Sequence, residues 1–163
     1  MDNILFNGKV YPYFQAEGNA SQFAIPFARK VCKGIGVDIG FCKDDWKLPG
    51  ALGADLDDDS NSYHALNLPK DLDYIYSSHC LEHLTDWVGA LEYWTSRIKV
   101  GGIIFLYLPH HTQEYWNPWN NRKHLNNMYV DDIVKCLKQF GIIRIFSSER
   151  DLNHSFMVYG TKA

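Results

Sequence analysis

The segment Ile35-Gly36-Val37-Asp38-Ile39-Gly40 has the pattern of a buried parallel strand that carries a polar group near its end. A short apolar run of this kind is typical of a strand covered on both faces, and the final glycine ends it. Asp38 is the one charged residue in the run. A carboxylate accepts hydrogen bonds, and a glycine beside it lets the backbone approach a ligand closely. We therefore predict that this is the first strand of an α/β sheet and that Asp38 and Gly40 lie at a binding edge.

Apolar patterns of strand type and helix type alternate around this segment, which indicates an α/β fold. Strands are predicted at residues 35–40, 51–56, 72–78, 103–108, 142–146 and 155–160. Helices are predicted at residues 21–32 with Ser21 as the cap, at 84–99 and at 133–140. Together they predict a single doubly wound, mostly parallel sheet with a C-terminal antiparallel hairpin. We expect one domain over residues 1–163, with an irregular arm and a helix at 1–33 and the core at 34–163.

Composition excludes several classes of protein. The chain has 163 residues, of which 46% are apolar, and a formal net charge of −3. These values suit one packed core and give no general surface for nucleic acid. The start of the chain does not resemble an export signal, and no apolar stretch approaches the ~18 residues of a membrane span, so we expect a cytoplasmic protein. The four cysteines are scattered, and we expect free thiols.

A second acidic residue, Asp55, ends the next predicted strand. The carboxyl ends of neighbouring parallel strands meet at one edge of a sheet, where open α/β sheets bind ligands. An acidic residue at this place suits the two hydroxyls of a ribose. Asp38 and Asp55 therefore favour a nucleoside site. The spacing leaves a second interpretation open, in which both residues belong to solvated turns.

The motifs resemble those of a known family. Gly36-Val37-Asp38-Ile39-Gly40 resembles the first motif of the "type 11" group of class I S-adenosylmethionine-dependent methyltransferases, and residues 54–56 resemble their ribose-binding motif. Residues 68–84, which end in Leu81-Glu82-His83-Leu84, resemble the family's fourth-strand segment, and residues 99–109 its "KPGG" turn and fifth strand. The resemblance runs from about residue 34 to the end of the chain. It implies a Rossmann-like methyltransferase fold, S-adenosylmethionine as cofactor, and methyl transfer to a small-molecule or glycan-type acceptor.

Carried over by position, the resemblance implies a cofactor site and a set of candidate bases. The cofactor-binding residues would be Asp38, Gly40, Phe41, Asp55, Leu56, His64, Ala65 and Ser78. The sulfonium carbon of the cofactor is already electrophilic, so a base is needed only where the acceptor must lose a proton. The candidate bases are His79, His110 and His111, each of which could instead hold loops together. The aromatic stretch 115–121 suits an acceptor lid or a packed loop without function.

The sequence departs from the family pattern at three places. Cys42 stands where a second glycine is usual, and His64-Ala65 stands where an acidic residue is expected near the adenine. Residues 41–50 are too few for the usual crossover helix, because a parallel connection needs a dozen or more residues. We therefore predict a loop there, with another element covering that face of the sheet.

The predicted cover is the N-terminal helix, packed through Phe23, Phe27 and Val31, with Trp46 and Leu48 closing the gap. The arm before the helix would then lie near Gly40. It could supply polar contacts from Gln15, Glu17 and Asn19.

Other kinds of site fit the sequence less well. Residues 79–83 match the zinc pattern H-x-x-E-H, but five residues match easily by chance, and we expect no metal ion. Residues 55–66 lack the glycine and glutamate of a calcium loop. The intact G-x-G-x-x-G turn of NAD enzymes is absent. A catalytically silent binding module on the same fold, docking through its aromatic arm on a partner or on a second copy in a homodimer, is the alternative function.

Overall fold

The computed structural model describes residues 3–55, 67–120 and 124–163. The chain begins with a hairpin of β1 (Ile4–Phe6) and β2 (Lys9–Tyr11), then α1 (Tyr13–Ala16) and α2 (Ser21–Val31). The core follows as β3 (Gly36–Ile39), β4 (Leu52–Ala54), β5 (Leu72–Ser78), α3 (Trp87–Arg97) and β6 (Ile98–Pro109). It ends with α4 (Val130–Gln139), β7 (Ile142–Ser147) and β8 (Ser155–Lys162). The prediction of an irregular arm was wrong, since the arm contains a hairpin and a short helix.

Six strands form one sheet in the order β4-β3-β5-β6-β8-β7. Strands β4, β3, β5 and β6 are parallel, whereas β8 runs antiparallel to both β6 and β7. The chain passes from β3 to β4 on one side and then to β5 on the other. This reversal is the point at which doubly wound sheets bind ligands. The predicted mostly parallel sheet with a C-terminal antiparallel hairpin is confirmed.

Each face of the sheet has its own apolar cluster. On one face, α3 and α4 bury Leu91, Trp94, Ile133 and Leu137 against the strands. On the other face, α2 covers tyrosine and phenylalanine side chains of β5 and β6. That second cluster contains Ala20, Ala24, Ala28, Cys32, Leu48, Ala51, Tyr74, Tyr76, Phe105 and Tyr107.

The prediction that α2 covers this face is correct, but the packing residues were assigned wrongly. Ala24 and Ala28 are fully buried, Phe23 and Val31 are partly buried, and Phe27 is 50% exposed. The strands already supply four buried aromatic rings on this face. We attribute the alanine contact to these rings, because small side chains let the helix backbone approach a layer of large ones.

Three helix starts differ from the prediction, and at α2 and α3 a local polar contact accompanies the difference. Helix α2 has Ala20 at its N-cap, and the Ser21 hydroxyl instead bonds Asn19 Oδ1 and the Trp46 carbonyl. Helix α3 begins at Trp87 rather than near Leu84, since the Asp86 carboxylate accepts a hydrogen bond from the Gly89 N–H at 2.9 Å. Helix α4 begins at Val130, three residues before the predicted start.

Candidate functional site

A mostly apolar cleft of about 420 Å³ opens at the carboxyl edge of the sheet, beside the reversal point. Its walls come from the ends of β3 and β4, from the turn after β5 and from the start of α3. The lining residues are Ile39, Gly40, Ala54, Asp55, Cys80, Leu84, Thr85, Asp86, Gly89, Ala90, Tyr93 and Trp94. The volume lies within the range of pockets that bind cofactors and small molecules.

Gly40 and Asp55 both line this cleft. Gly40 has a φ of +78°, and its N–H donates to the Ala54 carbonyl at 2.8 Å, which joins the ends of β3 and β4. Asp55 is partly exposed, and its Oδ2 accepts a hydrogen bond from the Cys42 N–H at 3.0 Å. A carboxylate held in this way at the rim of an apolar cleft can accept two hydroxyl donors.

Cys42 keeps the backbone conformation that a glycine would give. Its φ is +62°, within the left-handed region that side chains other than glycine, asparagine and aspartate rarely adopt. The turn after β3 therefore has the same course as a glycine turn, although the second glycine is missing from the sequence.

Asp38 lies behind the cleft rather than in its wall. It is 1% exposed, and its Oδ2 accepts a hydrogen bond from the Leu48 N–H at 2.7 Å. Burial raises the pKa of Asp38 to about 7, partly offset by that bond and by Lys47. The carboxyl group thus fixes the loop 41–50, which contains a single 3₁₀ turn (Asp44–Trp46) and no crossover helix, as predicted.

Solved structures share the fold of this protein over almost the whole chain. A methyltransferase from Archaeoglobus fulgidus, described as SAM-dependent, matches with a TM-score of 0.69 at 17% identity over 93% of this chain and 100% of its own. A SAM-dependent methyltransferase from Thermotoga maritima gives 0.72 at 14% over 93% of both chains. The N-methyltransferase NodS from Bradyrhizobium japonicum, in complex with S-adenosylhomocysteine, gives 0.64 at 10% over 92% of this chain and 88% of its own.

The fold is that of class I S-adenosylmethionine-dependent methyltransferases. No protein-family model matches the sequence, and no curated protein matches it significantly. The identities to the solved structures are low, so the likeness establishes the fold.

The remaining predicted cofactor residues of this methyltransferase fold lie in three environments. Phe41 is buried below Lys47, whose Nζ lies 5.3 Å from the centre of the ring, and it does not line the cleft. Ser78 is buried at the end of β5. Leu56, His64 and Ala65 lie outside the described residues.

The first candidate base, His79, has both ring nitrogens next to protein groups. Its Nε2 lies 3.0 Å from the Ser155 hydroxyl, and its Nδ1 lies 3.4 Å from Glu82 Oε1. The same Ser155 hydroxyl accepts a hydrogen bond from Gln15 Nε2 at 3.2 Å. These contacts favour a role for His79 in holding β5, β8 and the N-terminal arm together.

Gln15 was expected near Gly40, but its contacts lie elsewhere. Its side chain bonds Ser155, and its carbonyl accepts a hydrogen bond from Trp116 Nε1 at 3.2 Å. Asn19 is buried, and its Oδ1 accepts a hydrogen bond from the Ser21 hydroxyl. The arm therefore packs next to β8 rather than near Gly40, because residues 11–16 contact the 115–120 stretch.

His110 and His111 follow β6 and contact each other, with ring centres 4.2 Å apart. His110 Nδ1 lies 2.8 Å from the Thr112 hydroxyl, and burial, followed by the charges of His111 and Arg150, lowers the pKa of His110. The His111 ring stacks on Tyr129 at 4.6 Å. A neutral, partly exposed imidazole such as His110 can accept a proton, so the geometry favours this pair over His79 as a base.

The stretch predicted as a lid is packed against the arm. Tyr115 contacts Phe6 and Tyr11, and Trp116 stacks on His124 with ring centres 5.4 Å apart. Trp119 is 74% exposed. These contacts favour a packed segment over a freely moving lid.

Sequence reasoning missed the environment of Glu82. Its side chain is fully buried, and Oε1 lies 3.4 Å from His79 Nδ1, 3.8 Å from His124 Nε2 and 3.9 Å from His83 Nε2. Burial by itself raises the pKa of Glu82, but the three imidazoles, His79 foremost, hold that pKa at about 2. Burial lowers the pKa of His124 to about 4 against the attraction of Glu82. Only the H-x-x-E-H pattern could have drawn attention to this place from the sequence.

Proposed function

We propose that the chain binds S-adenosylmethionine in the cleft at the carboxyl edge and transfers its methyl group to a small-molecule or glycan-type acceptor. The observation that carries this proposal is the meeting of Gly40 and Asp55 at the rim of an apolar cleft, at the reversal point of the sheet. The ribose hydroxyls would bond the Asp55 carboxylate. The apolar start of α3 suits the adenine ring, and Gly40 leaves room for the backbone to approach the cofactor.

The missing second glycine is compatible with this proposal. Cys42 has the left-handed backbone that a glycine turn requires, and its N–H holds Asp55 in place. The chain thus retains the shape of the turn and the orientation of the ribose carboxylate.

Methyl transfer asks little chemistry of the protein residues. The sulfonium group supplies an electrophilic methyl carbon, so the protein has to hold the acceptor in line with it and exclude water. An acceptor that must lose a proton could pass it to His110 or His111, which follow β6. The aromatic stretch at 115–120 would suit a flat or sugar-like acceptor, since aromatic faces and amide groups together bind such molecules.

Calorimetry with S-adenosylmethionine and S-adenosylhomocysteine tests the cofactor site. Asp55→Asn should weaken both affinities by about tenfold to a hundredfold, because hydrogen bonds to a charged acceptor exceed neutral ones by about 1–1.5 kcal/mol each. The asparagine can still accept from the Cys42 N–H, so the fold should be retained.

Asp44→Asn is the matched control for the change in charge. Asp44 lies in the same loop, its side chain is 73% exposed, and it pairs with Lys47 at 3.1 Å. Equal affinities for parent and Asp55→Asn would contradict the assignment of Asp55. Tight cofactor binding without formation of S-adenosylhomocysteine across an acceptor panel would favour the silent module. Tyr11 is buried against the 115–120 stretch, whereas Tyr13 is 44% exposed, so only part of the aromatic arm is open to a partner of that module.

A further inference from the structure

A histidine and carboxylate cluster lies next to the cleft, and the proposed methyl transfer does not use it. Glu82, His83 and His124 each offer one ligand atom, and these atoms all lie within 4.8 Å of one another. Glu82 and His83 belong to the 3₁₀ turn Leu81–His83. His124 comes from the loop before α4, so the fold brings the third group in from a distant part of the chain.

The Glu82 carboxylate has imidazoles beside it but accepts no hydrogen bond from the described residues. The side chain is 0% exposed, and neither oxygen accepts a hydrogen bond from any described residue. The imidazole nitrogens around Oε1 stand at 3.4–3.9 Å, and none has hydrogen-bond geometry. Buried charges are normally paired or coordinate a metal, because an unpaired one is strongly unfavourable. A cation among these groups would remove the deficit.

Backbone hydrogen bonds fix the positions of the three groups. The Glu82 carbonyl accepts hydrogen bonds from the Leu125 N–H at 2.9 Å and from the Asn126 N–H at 3.1 Å. The Asn126 side chain also donates to the Glu82 and Leu84 carbonyls, at 3.3 and 2.8 Å. Trp116 stacks on the His124 ring. The loop that carries His124 is thus bound to the turn that carries Glu82. Such contacts hold metal ligands in a fixed orientation.

We propose that Glu82, His83 and His124 bind one divalent transition-metal ion of the zinc class. Two imidazoles and one carboxylate suit Zn²⁺, whereas Mg²⁺ and Ca²⁺ prefer all-oxygen sites. Tetrahedral binding would place the ligand atoms about 3.4 Å apart. The observed 3.8 and 3.9 Å from Glu82 Oε1 to the two imidazoles need only a small contraction. His79 is outside this group of three, and its Nδ1 lies 3.4 Å from Glu82 Oε1.

The site differs from the one that the H-x-x-E-H pattern suggested. That pattern would place two histidines of one helix around the ion with the glutamate as a base. Here the glutamate is itself a ligand, and His124 replaces His79. Three protein ligands leave a coordination position for water or for an oxygen atom of an acceptor. Cys80 and Leu84, which flank the turn, line the cleft, so that position would lie beside the proposed methyl-transfer site.

Metal binding can be measured without cofactor or activity. The full chain is prepared without a histidine tag, stripped with a chelator and titrated with Zn²⁺ by calorimetry, and Co²⁺ absorption reports the ligand geometry. We expect one equivalent of Zn²⁺ per chain. His83→Gln and His124→Gln should each weaken the affinity for Zn²⁺ by roughly 100-fold or more. This exceeds the usual effect of replacing a residue that only hydrogen-bonds a metal ligand. His110→Gln, which removes an imidazole outside the cluster, is the control and should bind Zn²⁺ like the parent.

Glu82→Gln separates a metal ligand from a structural carboxylate. If Glu82 serves the metal, the metal-free variant melts no lower than the parent, and the rise in melting temperature that Zn²⁺ produces in the parent disappears. If protonated histidines stabilise the carboxylate, the metal-free variant melts lower and Zn²⁺ leaves the parent unchanged, which overturns the proposal. Zn²⁺ binding that persists in both His83→Gln and His124→Gln, or that is lost in His110→Gln, overturns it as well. Cofactor affinity is a separate readout, so failure of the metal site leaves the methyltransferase proposal standing.

Discussion

Replacement of Gly40 by alanine should disturb the carboxyl edge of the sheet, the proposed cofactor site, far more than it would disturb an ordinary glycine turn. Gly40 has a φ of +78°, and a Cβ added there would lie 2.5 Å from Cys80 Cβ and 2.6 Å from Cys80 Sγ. Contacts this short force the turn after β3 away from the turn after β5. Because both turns line the cleft, the change should reduce stability and cofactor affinity together.

The expected loss has two parts that a second variant separates. A left-handed backbone at a residue with a side chain raises the free energy of the folded state by about 1–2 kcal/mol, and overpacking adds about 1–3 kcal/mol. Gly50→Ala isolates the first part, since Gly50 has a φ of +87° and no heavy atom within 4 Å of its added Cβ. We therefore expect a loss of roughly 2–5 kcal/mol in the free energy of unfolding for Gly40→Ala and roughly 1–2 kcal/mol for Gly50→Ala.

Urea unfolding and calorimetry with S-adenosylhomocysteine measure the two effects. Cys80→Gly in the Gly40→Ala background should restore part of the loss, because both short contacts come from the Cys80 side chain. Cys80→Ala should not restore it, since the Cβ remains. Equal losses of stability for Gly40→Ala and Gly50→Ala, with unchanged affinity in both, would refute the reasoning.

Two further predictions concern the loop between β3 and β4. In Asp38 the folded carboxyl keeps its proton up to a pKa of about 7, whereas the unfolded one loses it near 3.8, so ionisation weakens the fold as the pH rises between these values. In the parent, the free energy of unfolding should fall by about 4 kcal/mol over that pH range, and Asp38→Asn should remove this fall. Parallel profiles of unfolding free energy against pH for variant and parent would contradict the prediction. Cys42→Gly should raise the free energy of unfolding by about 0.5–1 kcal/mol, since relief of the left-handed backbone exceeds the added entropy of the unfolded chain. Cys42→Ala keeps that backbone and is the control, so equal stabilities of the two variants would show that it is unstrained.

The sheet could be predicted from the sequence because its strands are defined by local patterns. Strand β5 (Leu72–Ser78) has the predicted bounds, since its seven residues form one apolar run between polar turns. Strand β6 begins at Ile98, earlier than predicted, because Ile98 already pairs with Leu72 of β5, and the register resumes at Ile103 after an irregularity. The face of α2 was mispredicted because helical spacing identifies an apolar stripe but gives no information on the size of the side chains opposite.

The candidate site could be predicted only where its residues lie next to strand ends. Gly40 and Asp55 were located in this way, because the carboxyl edge of a parallel sheet gathers such residues. The contact of Glu82 with His124 joins two loops and depends on the Asn126 side chain and the Glu82 carbonyl, which no local pattern encodes. Cys80 and the start of α3 were likewise missed as cleft walls, because apolar residues there are also expected of the core.

The position of Asp38 changes the meaning of the first motif in this chain. Its carboxyl group binds the Leu48 N–H at one end of the short loop, and Cys42 at the other end binds Asp55. The loop that replaces the crossover helix is thus fixed at both ends by the two acidic residues that the sequence assigned to the cofactor. Asp38 is buried away from the cleft and can act on a nucleoside only through this loop, whereas Asp55 can contact it directly. We therefore regard Asp38 as a positioning residue. The short loop can replace a crossover helix here because the Asp38 carboxyl group, rather than a packed helix, holds it in place.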